Sequence, residues 1–172
     1  DSQLIVYVID AKEGIVAFDQ TLLGEAAKEG KSIILAVNKI DLWQKTEEEM
    51  SVFIARLQEE LNFMPWLPII FISARDKKNL TNLLNQVVAV NFERKMEVIE
   101  EDCIKILKEA KERNSQIAYI TGLHFARSNP VVFKIKTKKN KKPHFSHLRY
   151  LENRIRESHP YRGCPIFIDL LK

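Results

Sequence analysis

The chain has 172 residues, 45% of them hydrophobic and 29% charged, as is typical of a globular protein with one domain or two small ones. No apolar run approaches the ~20 residues that cross a bilayer, and no signal peptide is evident, so we expect a cytoplasmic protein without a membrane segment. Cys103 and Cys164 lack the spacing of a metal site and are expected to be small core residues. A disulfide between them is the alternative.

The net charge changes sign near residue 92. Residues 1–92 hold 9 Lys and Arg against 13 Asp and Glu, a net charge of −4. Residues 93–172 hold 18 against 10, a net charge of +8. The asymmetry predicts two domains, 1–92 and 93–172, with different partners, and the second domain is expected to face something anionic.

Residues 1–92 alternate between apolar runs typical of buried strands and segments with helical periodicity. Within the second predicted helix, Thr46 and Glu49 have the spacing of a capping box. Three βα units with short connections predict a parallel sheet. The predicted strands are 4–9, 32–37 and 68–72, and the predicted helices are 19–29, 46–61 and 80–90.

Residues 93–172 predict an α+β domain with the order α-β-β-α-β. The pattern leaves open whether its first helix continues the preceding one or begins near Glu100. The predicted elements are a helix within 93–115, strands at 116–121 and 131–135, a basic connector at 136–142, a helix at 145–158 and a strand at 165–170.

The tetrapeptide NKID follows the second predicted strand and is typical of proteins that bind guanine. Asp41 can accept hydrogen bonds from N1–H and the N2 amino group of guanine. Adenine lacks that pair of donors and would leave the carboxylate unpaired, at a cost of roughly 1–3 kcal/mol per unmet group. Asn38 can brace the loop and reach the base edge, and the aliphatic stem of Lys39 can cover the ring face.

A second candidate segment, Ser73 and Ala74, directly follows the third predicted strand. GTPases place a Ser-Ala pair at this point, where the backbone N–H of the Ala donates to guanine O6. Because the carboxyl ends of parallel strands share one edge of a sheet, we expect both segments to meet at one base. The local alternatives are a turn for Asn38 and Asp41 and a helix cap for Ser73.

Contacts for phosphate and magnesium are missing from the sequence. None of the five glycines begins a GxxxxGKS or GxxxxGKT loop, and no DxxG is present. We therefore expect no catalytic residue, no bound cofactor and no GTP hydrolysis in this chain alone. An apolar strand at 4–9 with an open edge would favour aggregation, so we expect a piece of a longer protein, or a chain completed by a partner.

The whole chain resembles the carboxyl-terminal part of the Der (EngA) family, bacterial GTPases with two G domains and a KH-like domain. The resemblance rests on VIDAKEGI, NKIDL and FISA before residue 92 and on RYLENRIRE and YRGCPIFI after it. It implies the second half of the second G domain, a partial P-loop-GTPase-type sheet, followed by the KH-like domain. It also implies GTP or GDP with magnesium in the intact protein, and a role in assembling the large ribosomal subunit. The alternative is a non-catalytic module that binds rRNA or ribosomes without hydrolysing nucleotide.

Basic residues are concentrated after residue 115, with 12 Lys and Arg against 3 Asp and Glu. KH domains often clamp RNA with a GxxG loop, which this chain lacks, so we expect contacts to rRNA phosphates without base reading. A solvated loop that only aids solubility is the alternative. His144 and His147 have no further ligand nearby, so no metal is predicted. The RNA-contact candidates are Lys136, Lys138, Lys139, Lys141, Lys142 and Arg149.

Overall fold

The structure, a computed structural model, describes residues 2–43 and 46–171. The chain divides into two compact units, which are described separately below. One comprises Asp1–Phe92 with Arg162–Cys164, and the other comprises Glu93–Tyr161 with Pro165–Lys172. Within the described residues, no helix is both long and apolar enough to cross a membrane.

The first unit contains a three-stranded parallel sheet in the order β1-β2-β3. The predicted partial GTPase-type sheet of three βα units is confirmed. Strand β2 is central and almost fully buried, which explains why its sequence is a continuous apolar run. The strands are β1 (Leu4–Asp10), β2 (Ser32–Asn38) and β3 (Ile69–Phe71), and the helices are α1 (Ala17–Lys28), α2 (Glu47–Glu60) and α3 (Leu80–Glu93).

The predicted capping box at the start of α2 is confirmed. The Thr46 hydroxyl accepts a hydrogen bond from the Glu49 backbone N–H at 3.3 Å, and the Glu49 carboxylate accepts one from the Thr46 N–H at 2.8 Å. Two backbone donors that have no partner within the helix are thereby satisfied. Three consecutive glutamates in the first turn also favour the positive end of the helix dipole.

Replacing Thr46 with Ala is expected to lower the free energy of unfolding by about 1 kcal/mol, because the cap loses its acceptor. The measurement is urea denaturation of the purified protein. Ser51→Ala is the matched control, since the Ser51 hydroxyl donates to the Glu47 carbonyl inside the same helix and is exposed. That change is expected to stay within about 0.5 kcal/mol of wild type. Equal losses at both positions would contradict the capping role.

The second unit has the predicted order α-β-β-α-β. Its sheet has the strand order β4-β5-β6, with β4 and β5 antiparallel and β5 and β6 parallel. The first helix begins at Glu100, which settles the question left open by the sequence. The elements are α4 (Glu100–Arg113), β4 (Ile120–Ser128), β5 (Val131–Thr137), α5 (Phe145–Ser158) and β6 (Ile166–Leu170).

The predicted strand at 116–121 is wrong for most of its length. Ser115–Ile117 form a 3-10 turn, which the Asn114 side chain caps by accepting from the Gln116 N–H at 3.0 Å. Strand β4 instead begins at Ile120 and continues to Ser128, beyond the predicted end at residue 121, with a shift of register beside Gly122. The predicted basic connector also begins too early, because Lys136 lies within β5. Glycine usually weakens a strand, yet β4 continues beyond Gly122 because its residues keep pairing with β5.

Both cysteines are buried thiols that form no disulfide, Cys103 in the second unit and Cys164 in the first. In the second unit, Cys103 and Leu107 are buried on α4 and Leu151 and Ile155 on α5. Burial raises the pKa of the Cys103 thiol, so the thiol stays protonated at neutral pH.

Candidate functional site

The loops after β2 and β3 meet at the carboxyl edge of the parallel sheet. The Ile72 N–H donates to the Val37 carbonyl at 2.8 Å, and the Ile40 N–H donates to the Ile72 carbonyl at 3.3 Å. These backbone bonds hold the segment 38–41 beside the segment 73–74. The structure therefore brings together the two segments singled out as guanine contacts.

Asp41 is an acceptor at this edge that two side chains hold in place. Its Oδ1 accepts from the Ser73 hydroxyl at 2.6 Å, and its Oδ2 forms an ion pair with Arg75 Nη2 at 3.0 Å. Only 6% of the Asp41 side chain is exposed, and Ser73 is fully buried. The Ser73 hydroxyl in turn accepts from the Asp76 N–H at 3.1 Å. The carboxylate is thus fixed in position before any ligand arrives.

The same contacts keep Asp41 ionised. The hydrogen bond from Ser73 holds the pKa of the Asp41 carboxyl below its ordinary value, helped by the charges of Arg75 and Lys39 and opposed by burial. A lowered carboxyl pKa contributes stability above the unfolded-state pKa, and that contribution is lost as pH falls through the folded-state value. The carboxylate is therefore a charged acceptor at neutral pH.

Asn38 braces the loop after β3. Its Oδ1 accepts the backbone N–H of Ala74 at 3.0 Å. This N–H is the donor that the sequence analysis assigns to guanine O6, and in the structure it points at Asn38. The two residues are thus brought together, and each already has a hydrogen-bond partner.

Lys39 lies at the turn that leaves β2, with a left-handed backbone (φ 68°). Its ammonium forms an ion pair with Asp10 Oδ2 at 2.7 Å, and Asp10 Oδ1 accepts from the Lys12 N–H at 2.7 Å. The ion pair lowers the pKa of Asp10 and raises that of Lys39. A left-handed conformation is unfavourable for a residue with a Cβ, so the anchor at the end of β1 helps to hold this turn.

Two residues of this edge, Asp10 and Arg75, were missed by the sequence analysis. Each follows a recognisable signal: Asp10 ends the first apolar run, and Arg75 directly follows the Ser-Ala pair. The strand register, which places Asp10 opposite Asn38 in the parallel ladder, could not be predicted from the sequence.

An aromatic cluster packs against the loop after β2. The Trp43 ring packs edge-on against Phe53 at 4.7 Å between ring centroids and stacks on Phe71 at 5.8 Å. These contacts link the loop after β2 to α2 and β3. Trp43 therefore packs against the hydrophobic core of the first unit.

In the second unit, the candidate RNA-contact residues are spread over three elements. Lys136 is on β5, Lys138 and Lys139 are in a 3-10 turn, and Arg149 is on α5. The Lys141 ammonium lies over the Tyr119 ring, 4.8 Å from its centroid. All six candidates, which also include Lys142, have exposed side chains.

The two histidines near this region have local structural roles. His144 caps α5, with Nδ1 accepting from the Ser146 N–H at 3.3 Å. His147 Nδ1 lies 3.0 Å from the Tyr119 hydroxyl. Within residues 2–43 and 46–171, no group of three or more His, Cys, Asp or Glu side chains could hold a metal ion.

Two family models cover almost all of the chain. Residues 2–93 match the elongation factor Tu GTP binding domain. Residues 77–170 match the KH-domain-like region at the carboxyl terminus of EngA bacterial GTPase enzymes.

Curated relatives align along the same span. GTPase Der of Desulforamulus reducens is 34% identical, GTPase Der of Mycoplasmopsis agalactiae 32% and GTPase Der of Staphylococcus carnosus 30%. The alignments cover 96–98% of this chain but only 39–40% of each relative. The chain thus spans about two-fifths of the length of these relatives.

Solved structures of Era are also similar. One is Era in complex with MgGDPNP and nucleotides 1506–1542 of 16S ribosomal RNA, with a TM-score of 0.42 at 20% identity. Another is a single-residue variant of Aquifex aeolicus Era bound to GDP and AlF4⁻, with a TM-score of 0.43 at 19% identity. Each alignment covers 98% of this chain and 64% of the Era chain.

Proposed function

Because this chain belongs to the Der (EngA) family of bacterial GTPases, we propose that its first unit recognises the guanine base of GTP and GDP in the intact protein. The observation that carries the proposal is the Asp41 carboxylate, which is nearly buried and held by Ser73 at the carboxyl edge of the sheet. Ligands of parallel α/β sheets bind at this edge.

The geometry fits the Watson–Crick edge of guanine. An ionised carboxylate offers about four lone-pair positions, and Ser73 uses one on Oδ1. With the Arg75 guanidinium withdrawn from Oδ2, lone pairs on both oxygens are left for N1–H and the N2 amino group. Adenine would bury this charge without supplying those donors. Asn38 and the Lys39 stem border the same position, and Ala74 supplies the donor for O6 when its N–H turns from Asn38 to the base.

Phosphate and magnesium are assigned to the part of the protein that precedes this chain. When bound, the phosphates and magnesium supply most of the binding affinity, and the phosphates contain the bond that is hydrolysed. The sequence of this chain contains no phosphate-loop motif to hold them. Apolar side chains on β1 and α3 support such a missing half, since Val8 is 54%, Leu84 65% and Val88 69% exposed. We accordingly expect this chain alone to bind GDP weakly and to hydrolyse no GTP.

A KH-like domain over residues 93–172, most of which form the second unit, is proposed to contact rRNA of the large ribosomal subunit in the cytoplasm. Its support is the net charge of +8, together with the six exposed basic side chains on β5, the following turn and α5. Without a GxxG loop, the contacts are to phosphates rather than to base edges.

Neutralising five of these lysines (136, 138, 139, 141 and 142) to Gln is expected to remove most of the affinity for an rRNA fragment. Binding of the wild-type protein should weaken with salt, with a log–log slope of about −0.7 per single-stranded phosphate contacted, and the variant should have a shallower slope. Fluorescence anisotropy over a salt series measures both quantities. The control neutralises five lysines of the first unit (12, 28, 31, 77 and 78), which removes the same charge. Equal losses in the two variants, or an affinity that does not change with salt, would contradict specific phosphate contacts by the second unit.

The missing phosphate loop favours a second candidate function, a ribosome-binding module that never hydrolyses nucleotide. The coding sequence upstream of Asp1 distinguishes the two. A phosphate loop roughly 80–90 residues upstream, within the usual size of a domain, supports the GTPase, and its absence supports the binding module.

A further inference from the structure

Arg75 reaches from solvent onto the carboxylate proposed to bind the base. Its side chain is 68% exposed, whereas that of Asp41 is 6% exposed, and Nη2 lies 3.0 Å from Asp41 Oδ2. Because Ser73 already occupies Oδ1, both oxygens of Asp41 have partners in the structure. The proposed base-binding group is therefore already neutralised.

The arginine side chain resembles the guanine edge chemically. In guanine, N1–H and the N2 amino group are attached to one planar carbon, C2. In arginine, the guanidinium likewise attaches its N–H groups to one planar carbon and presents them to carboxylates as a fork. An Nη2 group at Oδ2 occupies an acceptor position that the N2 amino group of the base would use, so the arginine and the base compete for Asp41.

A second contact can hold the Arg75 side chain after it leaves Asp41. Arg75 Nε lies 3.0 Å from Asp76 Oδ1, and this bond does not involve the base position. Rotation about the Cδ–Nε bond can carry Nη2 away from Asp41 while Nε stays beside Asp76, whose side chain is 49% exposed. Displacement therefore costs one exposed ion pair rather than the whole anchoring of the side chain.

We propose that Arg75 is an internal competitor of guanine, which neutralises Asp41 in the empty site and must leave it before the base binds. The proposal rests on the proposed guanine site. In this role Arg75 lowers the affinity of the site for a base, because the base must first replace the ion pair between Arg75 and Asp41. Only a base with its own paired donors replaces the bond that Asp41 loses, whereas adenine would displace the arginine and supply nothing.

The test uses the full-length protein that contains this chain, with fluorescent GDP as the probe. Arg75→Ala is expected to raise GDP affinity about two- to five-fold, the range for one exposed ion pair. Arg75→Gln, which keeps more of the side chain, is the second variant and should also bind GDP more tightly. The gain should shrink at high salt, because screening already weakens the competing pair.

Arg56→Ala is the matched control. Arg56 forms an exposed ion pair with Glu60 on α2, so its removal makes the same charge change away from the base. It should leave GDP affinity unchanged. An equal gain in Arg56→Ala, or an unchanged or lower GDP affinity in both Arg75 variants, would overturn the competitor role.

In the full-length protein, Asp41→Asn separates the competitor role from the guanine site itself. If this variant switches preference to xanthine while the Arg75 variants show no gain, only the competitor role fails. If it keeps guanine selectivity, the guanine site itself fails.

Discussion

Replacing Asp41 with Asn in the intact protein is expected to move its preference from guanine to xanthine nucleotides. The Asn amide group presents a donor where the carboxylate presented an acceptor. Xanthine carries a carbonyl at position two, which can accept from this amide, whereas the N2 amino group of guanine meets a second donor. With roughly 1–3 kcal/mol per unmet group, GDP affinity should fall about 10- to 100-fold or more.

Competition of GDP and XDP for the same site measures the switch directly. Asp76→Asn is the control, because it removes one carboxylate from the same loop and leaves the Asp41–Ser73 hydrogen bond in place. That variant should keep the preference for guanine. A variant at Asp41 that still selects GDP over XDP would rule out the assigned role of this carboxylate.

The second large effect is expected from Gly163→Ala, which should lower the free energy of unfolding by about 2–5 kcal/mol. Gly163 belongs to the first unit and has a left-handed backbone with φ +68°. A Cβ there would lie 2.8 Å from the Ile33 carbonyl oxygen and 3.0 Å from both methyl groups of Val90. Left-handed strain contributes about 1–2 kcal/mol, and overpacking adds about 1–3 kcal/mol.

The backbone at Gly163 cannot easily move away from this clash. Its carbonyl accepts from the Ile33 N–H at 2.7 Å, and its N–H donates to the Trp66 carbonyl at 2.9 Å. Gly24→Ala is the control, because a Cβ at this position inside α1 meets only the Phe63 ring at 3.8 Å. A helical Gly→Ala change at an unstrained site should leave stability unchanged or raise it by about 0.5–1 kcal/mol. Urea denaturation of both variants measures the difference, and a Gly163→Ala protein as stable as wild type would disprove the expected strain.

The sequence predicted best where burial alone determines the element. Strand β2 is an unbroken apolar run because it is central and covered on both sides. Helix α5 has its predicted bounds, Phe145–Ser158, since its apolar residues recur with helical spacing. The end of β4 was predicted too early, at residue 121, because Gly122 is tolerated in a strand whose pairing with β5 continues past it.

The site could be predicted in composition but not in its internal contacts. The residue types of NKID and the Ser-Ala pair indicate base recognition, and their positions after strands place them on one edge. The ion pairs of Asp41 with Arg75 and of Lys39 with Asp10 join residues that are distant in sequence. Such pairs depend on strand register and side-chain reach, and neither leaves a periodic pattern in the sequence.

The position of Gly163 in the first unit has a consequence for the order of folding during translation. Ile33 and Trp66 emerge from the ribosome long before Arg162–Cys164, yet the Ile33 N–H and the Trp66 carbonyl both bond to Gly163 in that segment. Until Arg162–Cys164 is synthesised, the Ile33 amide at one end of β2 lacks this partner, and the first unit has fewer long-range contacts. Late pairing over so large a sequence separation slows folding and lengthens the time for which an apolar sheet is open to aggregation.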